Sequence, residues 1–164
     1  MSVVLGLDPG TRHFGWGVVH RVGTRLHHVA HGVLDVVKEG ELGTRLVAIE
    51  RGLAAVIEEF RPSMASIESL FFAKDAQAAA KLGHARGVAM LVCARSGLEL
   101  FEYAPARVKR TVAGGGRADK AQVAQMVRVL LGLPEAPRAD AADALAIAVT
   151  HLQGVRIASL TAPR

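Results

Sequence analysis

Apolar residues follow two different periods along the chain, and the shorter period dominates its first part. A short apolar run at residues 3–7 ends at Asp8 in a Pro-Gly turn, which predicts a buried strand that leads into a turn. Residues 14–22 and 25–37 predict two further strands, separated by a turn at residues 23–24. These three strands form a plausible antiparallel meander.

Helical spacing dominates the rest of the chain. Apolar residues recur at intervals of three and four along residues 42–60, which predicts a helix that Pro62 ends. The segments that follow predict strands at residues 64–70 and 98–103 and helices at residues 73–95, 105–112, 120–131 and 139–152. A meander followed by β-α units predicts an α/β fold, a mixed sheet with helices on both faces, and such sheets carry their sites at strand carboxyl ends. We expect one domain over residues 1–154 and a short C-terminal tail over residues 155–164.

Composition restricts the class of protein. Hydrophobic residues make up 51% of the 164 residues and charged residues 21%, which excludes a disordered chain. No apolar stretch reaches the ~18 residues of a membrane span, and the N-terminus lacks the features of a signal peptide. Cys93 is the only cysteine, so no intramolecular disulfide forms. These features predict a cytoplasmic protein without a membrane partner.

The charge balance indicates a polyanionic partner. Lys and Arg total 20 against 15 for Asp and Glu, which gives a net charge of +5 and a pI near 10.0. A basic protein releases counterions from a phosphate backbone when it binds, and this favours nucleic acid. A charge that serves only solubility gives the same balance.

Two acidic residues occupy positions that stability alone would not select. Asp8 closes the first predicted strand and Glu68 lies near the end of the fourth, both beside apolar residues. A carboxylate in such a place is costly unless it is paired, protonated or bound to a cation. If these two strands are adjacent and parallel, both side chains emerge at one end of the sheet. The alternatives are a turn-forming aspartate and an outward-facing glutamate.

A second pair of acids lies at the start of the last predicted helix. Asp140 and Asp143 are three residues apart, so they share one helix face. An N-cap role explains Asp140 but leaves Asp143 without a reason. Four clustered carboxylates suit hard divalent cations, and two Mg²⁺ about 4 Å apart activate water and stabilise the leaving oxygen of a phosphodiester. Metal ions would also reconcile an acidic site with a basic protein.

Five motifs resemble the RuvC family of Holliday-junction resolvases and occur in the same order as in that family, over residues 3–151. They are GLDPGT with GWG at residues 6–11 and 15–17, IESLFFAK at 67–74, KLGHARG at 81–87, VKRTV at 108–112, and DAADALAIA at 140–148. The resemblance implies a ribonuclease H-like fold with a five-stranded mixed sheet. It implies that Asp8, Glu68, Asp140 and Asp143 are the catalytic, metal-binding acids, with two Mg²⁺ per subunit and Mn²⁺ as a substitute.

The resemblance also implies a substrate and partners. It implies a homodimer that nicks a four-way DNA junction symmetrically in recombination and repair, together with the bacterial RuvA–RuvB branch-migration complex. Lys109 and Lys120 match DNA-contacting lysines of the family, and Phe71 matches an aromatic residue used near the junction crossover. Lys74 and Arg110 are counted with these DNA-binding residues. A solvated loop around residues 114–116 and a core anchor at Phe71 are the alternatives.

Other functions remain open at this point. An ATPase of the actin and sugar-kinase class also places an Asp-x-Gly-Thr loop after a strand, but that class needs two such domains. A ribonuclease H-like nuclease that acts on another structured nucleic acid would share the same acids. A zinc site at the histidines is not expected, because His27 and His31 share one strand face and His28 opposes them.

Overall fold

Strand β1 (Ser2–Asp8) lies at the centre of a five-stranded sheet in a computed structural model. The structure describes residues 2–69 and 76–161, with side chains up to residue 154. The other strands are β2 (His13–Val22), β3 (Arg25–Asp35), β4 (Met64–Glu68) and β5 (Glu99–Tyr103), in the spatial order β3-β2-β1-β4-β5. β1 is antiparallel to β2 and parallel to β4. The mixed sheet and its antiparallel meander are therefore confirmed.

Five α-helices cover both faces of the sheet. They are α1 (Leu42–Phe60), α2 (Ala76–Arg95), α3 (Pro105–Ala113), α4 (Lys120–Leu131) and α5 (Ala139–Thr161). One apolar core lies between the sheet and α1 and α2, and a second lies between the sheet and α3, α4 and α5. Within the ranges given above, no helix is long and apolar enough to cross a membrane.

The alternation of side chains along β1 assigns each residue to one of these two cores. Leu5 and Leu7 are fully buried against the α1 and α2 side, whereas Val4 is buried on the α5 side. By the two-residue period of a strand, Gly6 and Asp8 face α5 as well. The carboxylate of Asp8 therefore lies on the face that α5 covers.

Glycines on β1 and β2 allow α5 to approach the sheet closely. A Cβ atom on Gly6 would overlap the backbone carbonyl of Ala144, and one on Gly15 would overlap the carbonyl of Asp140. Both obstacles are backbone atoms of α5, so no side-chain rotation could relieve them. The glycines thus fix the distance between the helix and the strands at the end where Asp8 lies.

Several predicted boundaries are wrong by a few residues. β3 ends at Asp35 and a 3₁₀ turn (Val37–Glu39) follows, and β4 ends at Glu68. The predicted start of α2 at residue 73 lies outside the described residues. The last helix does not end at residue 152 but continues to Thr161. Gly154 does not end it: a Cβ there would lie 3.2 Å from a guanidinium nitrogen of Arg107, so this glycine leaves room for a neighbouring side chain.

A β-bulge in β3 overturns the expected placement of the histidines. The register shifts between Val18, which pairs with Ala30, and Val19, which pairs with His28, so Val29 is an extra residue. The bulge brings His28 and His31 to the same face, where His28 Nε2 lies 2.7 Å from His31 Nδ1. The expectation that His28 opposes His31 is therefore wrong, because strict alternation does not hold across an inserted residue.

We predict that Gly15→Ala lowers the free energy of unfolding by about 1–3 kcal/mol, because the new methyl group pushes α5 away from the sheet. Gly43→Ala is the matched control, since a Cβ at Gly43 meets no atom within 4 Å. Its effect should stay within about 1 kcal/mol. Urea denaturation of both variants measures the difference, and equal stabilities would contradict the close-contact interpretation.

Candidate active site

Asp8 and Glu68 are the last residues of two adjacent parallel strands, β1 and β4. The pairing of these strands runs in register up to Leu7 and Ile67, one residue before each acid. Parallel strands end at the same edge of a sheet, so the two carboxyl groups emerge side by side. Both residues are half-buried. The condition that the sequence left open, adjacent and parallel first and fourth strands, is met.

The start of α5 brings the second pair of acids to the same place. Gly15 of β2 pairs directly with Asp8, and the backbone of Asp140 lies against Gly15. Asp140 therefore lies on the β2 side of Asp8, whereas Glu68 lies on its β4 side. Asp143, one turn along the helix, faces a cavity that Asp8 and Glu68 also line.

Burial and repulsion from neighbouring acids together perturb the ionisation of Asp8 strongly. Burial, followed by the charges of Asp143 and Asp140 and a smaller contribution from Glu68, raises the pKa of Asp8 to about 8. Burial and the charge of Asp143 also raise the pKa of Glu68, and the cations Lys120 and Lys109 oppose that rise. Neighbouring carboxylates are thus close enough to disfavour the ionisation of Asp8 and of Glu68.

Lys120 partly neutralises this cluster. It is the first residue of α4, and its ammonium lies 2.9 Å from Oδ2 of Asp143. The hydrogen bond and the charge of Asp143 raise the pKa of Lys120. A capping box between Asp119 and Gln122 fixes the start of α4 and so the position from which Lys120 extends. The expected DNA-binding lysine is therefore also the ion-pair partner of an acid.

Two small cavities flank the Asp8–Glu68 pair. One, of about 220 Å³, also contains Asp143, Lys109 and Lys120. The other, of about 180 Å³, lies on the side of Arg86. A larger cavity of about 830 Å³ lies at the β2–β3 turn and α4, and no carboxylate lines it. We place the chemistry at the two smaller cavities, because Asp8 and Glu68 line both of them together with a cationic side chain.

The donor set of the cluster is made of oxygen atoms alone, which suits a hard divalent cation rather than zinc. Yet among the side chains that the structure describes, no three His, Cys, Asp or Glu residues are already close enough together to hold one ion. Asp143 is engaged by Lys120 through an ion pair. The residues fit a magnesium site in their chemistry and in their location at one end of the sheet.

Of the remaining predicted DNA contacts, the structure describes Lys109 and Arg110. Lys109 lines the cavity of the acids, and Arg110 is exposed on α3. Gly114 ends α3 in the left-handed conformation, with φ +77°. Phe71 and Lys74 lie outside the described residues.

Sequence reasoning missed one residue of this region, Arg86. It lies in α2, lines the second cavity, and donates a hydrogen bond to the backbone carbonyl of Glu68. The available signal was its spacing, because Leu82, Arg86, Ala89 and Cys93 follow one another at helical intervals and place a charged residue in an apolar stripe.

The chain matches known proteins over nearly its whole length. The family model described as crossover junction endodeoxyribonuclease RuvC matches residues 4–151. The RuvC of Sorangium cellulosum (strain So ce56) is 57% identical over 159 residues, which is 97% of this chain and 89% of that protein. That of Bradyrhizobium diazoefficiens is 51% identical over 148 residues, 90% and 85% of the two chains.

Solved structures give the same result. The RuvC of T. thermophilus in complex with a Holliday junction substrate superposes with a TM-score of 0.90 at 37% identity, covering 97% of this chain and 98% of that one. The yeast mitochondrial Holliday junction resolvase, at 15% identity and a TM-score of 0.72, covers 98% and 81% of the two chains and shares the fold. By sequence and by structure, this chain belongs to the RuvC family of crossover junction endodeoxyribonucleases.

Proposed function

We propose that this protein is a crossover junction endodeoxyribonuclease that resolves Holliday junctions by paired, symmetric nicks. The observation that carries the proposal is the group of four half-buried acids where β1, β4 and α5 meet, with Lys109 and Lys120 beside it. Acids that repel one another at the edge of a basic protein suit metal-assisted hydrolysis of a phosphodiester.

We assign Asp8, Glu68, Asp140 and Asp143 as the catalytic acids and as ligands of Mg²⁺, two ions per subunit, with Mn²⁺ as a substitute. Bound there, the ions would supply a water of lowered pKa and neutralise charge on the leaving oxygen. Asp8 lies between Asp140 and Glu68, so its carboxylate is central among the proposed ligands. Lys120 pairs with Oδ2 of Asp143 and so holds this acid in the cluster.

The cations around the cluster serve the substrate. Lys109 and Lys120 attract the phosphate backbone to an opening that would repel it if only acids were present. Arg110 extends this positive surface along α3, and we include Phe71 and Lys74 as DNA contacts.

We further propose a homodimer acting in the cytoplasm with the RuvA–RuvB complex, and a nuclease domain over residues 1–154. A two-fold dimer presents two equal sites, which matches a junction whose two strands are cut alike. The alternative is a ribonuclease H-like nuclease for another structured nucleic acid. Incubation with synthetic four-way junctions, linear duplex and an RNA–DNA hybrid, each with and without Mg²⁺, separates the two. Cleavage of the hybrid but not the junction would overturn the proposal.

We predict that Asp8→Asn and Asp143→Asn each abolish junction cleavage while junction affinity in EDTA stays within about threefold. Each change removes a metal-ligand charge and no phosphate contact. Glu58→Gln, an exposed acid on α1, is the control and should leave cleavage unchanged. Near-normal nicking by either variant in Mg²⁺ would remove that residue from the site.

We predict that Asp8 lowers the thermal stability of the metal-free protein increasingly as the pH rises from about 4 to about 8. Because burial and neighbouring acids raise the pKa of Asp8 from 3.8 to about 8, the folded protein retains a proton that the unfolded chain has released over this range. The melting temperature of Asp8→Asn should therefore exceed that of the wild type by more at pH 8 than at pH 5. A difference that does not change with pH would contradict the perturbed pKa.

We predict that Lys109→Ala weakens junction binding most at low salt, because it removes one phosphate contact. The logarithm of the binding constant should fall with the logarithm of salt concentration along a slope about 1 unit shallower than in the wild type. Arg51→Ala, an exposed cation on α1, should leave the slope unchanged. Fluorescence anisotropy in EDTA measures both, and identical slopes would exclude a direct phosphate contact for Lys109.

A further inference from the structure

Arg86 is a charged residue in a place where apolar residues are expected. Its relative exposure is 7%, and its neighbours along the stripe of α2, Ala89 and Cys93, belong to the apolar core. Burial of a guanidinium is unfavourable unless its donors are well paired. The two groups that it contacts therefore indicate why it is there.

The guanidinium bridges two strands at the edge of the sheet that carries the acids. Its Nη2 lies 2.6 Å from Oε2 of Glu102 on β5, and its Nη1 donates to the backbone carbonyl of Glu68 at the end of β4. The Glu102 side chain is 47% exposed, so water could solvate it without Arg86. The ion pair alone does not explain the burial of the arginine.

The end of β4 has few other restraints on the side of β1. The β1–β4 pairing stops at Ile67, one residue before Glu68. On the β5 side, Glu68 pairs with Tyr103, and the amide of Ser69 donates to the carbonyl of Tyr103 at 2.8 Å. The contact of Arg86 with the Glu68 carbonyl thus restrains the last residue of β4 from the α2 side of the sheet.

Arg86 acts on the backbone rather than on the carboxylate of Glu68. Its Nη1 contacts the backbone carbonyl of Glu68, and the carboxylate with which it pairs is that of Glu102. The charged residues that share a cavity with the Glu68 side chain, Lys109, Lys120 and Asp143, lie on the α5 side of the sheet. Arg86 approaches from α2, on the opposite face. It is therefore placed to fix the backbone position from which the side chain of Glu68 extends, not to neutralise the carboxylate.

We propose that Arg86 is a positioning residue that presents Glu68 to the metal-binding acids by fixing the end of β4 against β5. The inference rests on the proposed function for its catalytic consequence, but the restraint on the strand end stands on the contacts alone. Without Arg86, the backbone at Glu68 would be free to shift. Metal binding would then have to order the acids, and the free energy that this costs would lower the affinity for the metal.

The test compares Arg86→Gln with Arg95→Gln. Arg95 lies in the same helix and pairs with Glu50 at 3.2 Å, but its side chain is 67% exposed and far along α2 from the acids. Hydrogen exchange measured by NMR should be about tenfold faster at the Ser69 amide in Arg86→Gln and unchanged in Arg95→Gln. The amide of Leu5 in the centre of β1 serves as the internal reference and should be unaffected in both variants.

The second readout is the Mg²⁺ dependence of junction cleavage. In Arg86→Gln the Mg²⁺ concentration for half-maximal cleavage should rise about fivefold to tenfold, while the dissociation constant for the junction in EDTA stays within twofold. A general loss of structure would instead weaken both. Normal Ser69 exchange together with a normal Mg²⁺ requirement in folded Arg86→Gln would overturn the proposal.

Arg86→Lys keeps the test decisive should the glutamine variant not fold. A lysine retains the charge, but its ammonium is a compact point donor that favours the carboxylate of Glu102 over a neutral carbonyl. We expect both readouts to change in the same direction as in Arg86→Gln, by about half as much on a logarithmic scale, and wild-type values would again overturn the proposal. If the wild type itself cleaves no junction in Mg²⁺, the proposed function fails, whereas Ser69 exchange still decides the role of Arg86.

Discussion

Repulsion between half-buried carboxylates is the interaction that the rest of the site must counteract. Asp8 lies between acids on both sides, and its burial together with their charges raises its pKa to about 8. The fold resists this repulsion with rigid backbone contacts: α5 rests on glycines of β1 and β2, and β4 is paired on both edges. Lys120 from α4 and Arg86 from α2 reach the same region from opposite faces of the sheet.

The same arrangement explains how a basic protein can carry an acidic centre. Lys109 and Lys120 come from the helices that cover the α5 face, so positive charge surrounds the opening at which the carboxylates lie. In the function proposed above, these cations would attract a phosphate backbone to the opening. The ion pair of Lys120 with Asp143 joins a cation at this opening to the acidic cluster. A change in the charge of either residue therefore alters the electrostatic environment of the other.

Much of the fold could be predicted from the sequence, because apolar periodicity and turn residues identify strands and helices without tertiary information. Asp8 and Glu68 could be placed together for the same reason, as acids at the ends of two parallel strands. The ion pair of Lys120, the role of Gly15 and the contact of Arg86 could not, since each depends on which helix lies on which face. The bulge at Val29 and the continuation of α5 past Gly154 were missed because local patterns do not reveal an inserted residue or a packing constraint from Arg107.

The bulge also bears on how molecules of this protein stay apart. β3 is an outer strand of the sheet and, with eleven residues, a long one. A straight outer strand offers an uninterrupted ladder of amide donors and carbonyl acceptors to any extended chain that meets it. The extra residue at Val29 breaks that ladder near its middle and increases the local twist. A second sheet could match only a few residues on either side of the break, which protects a concentrated solution of this protein against growth by edge-to-edge addition.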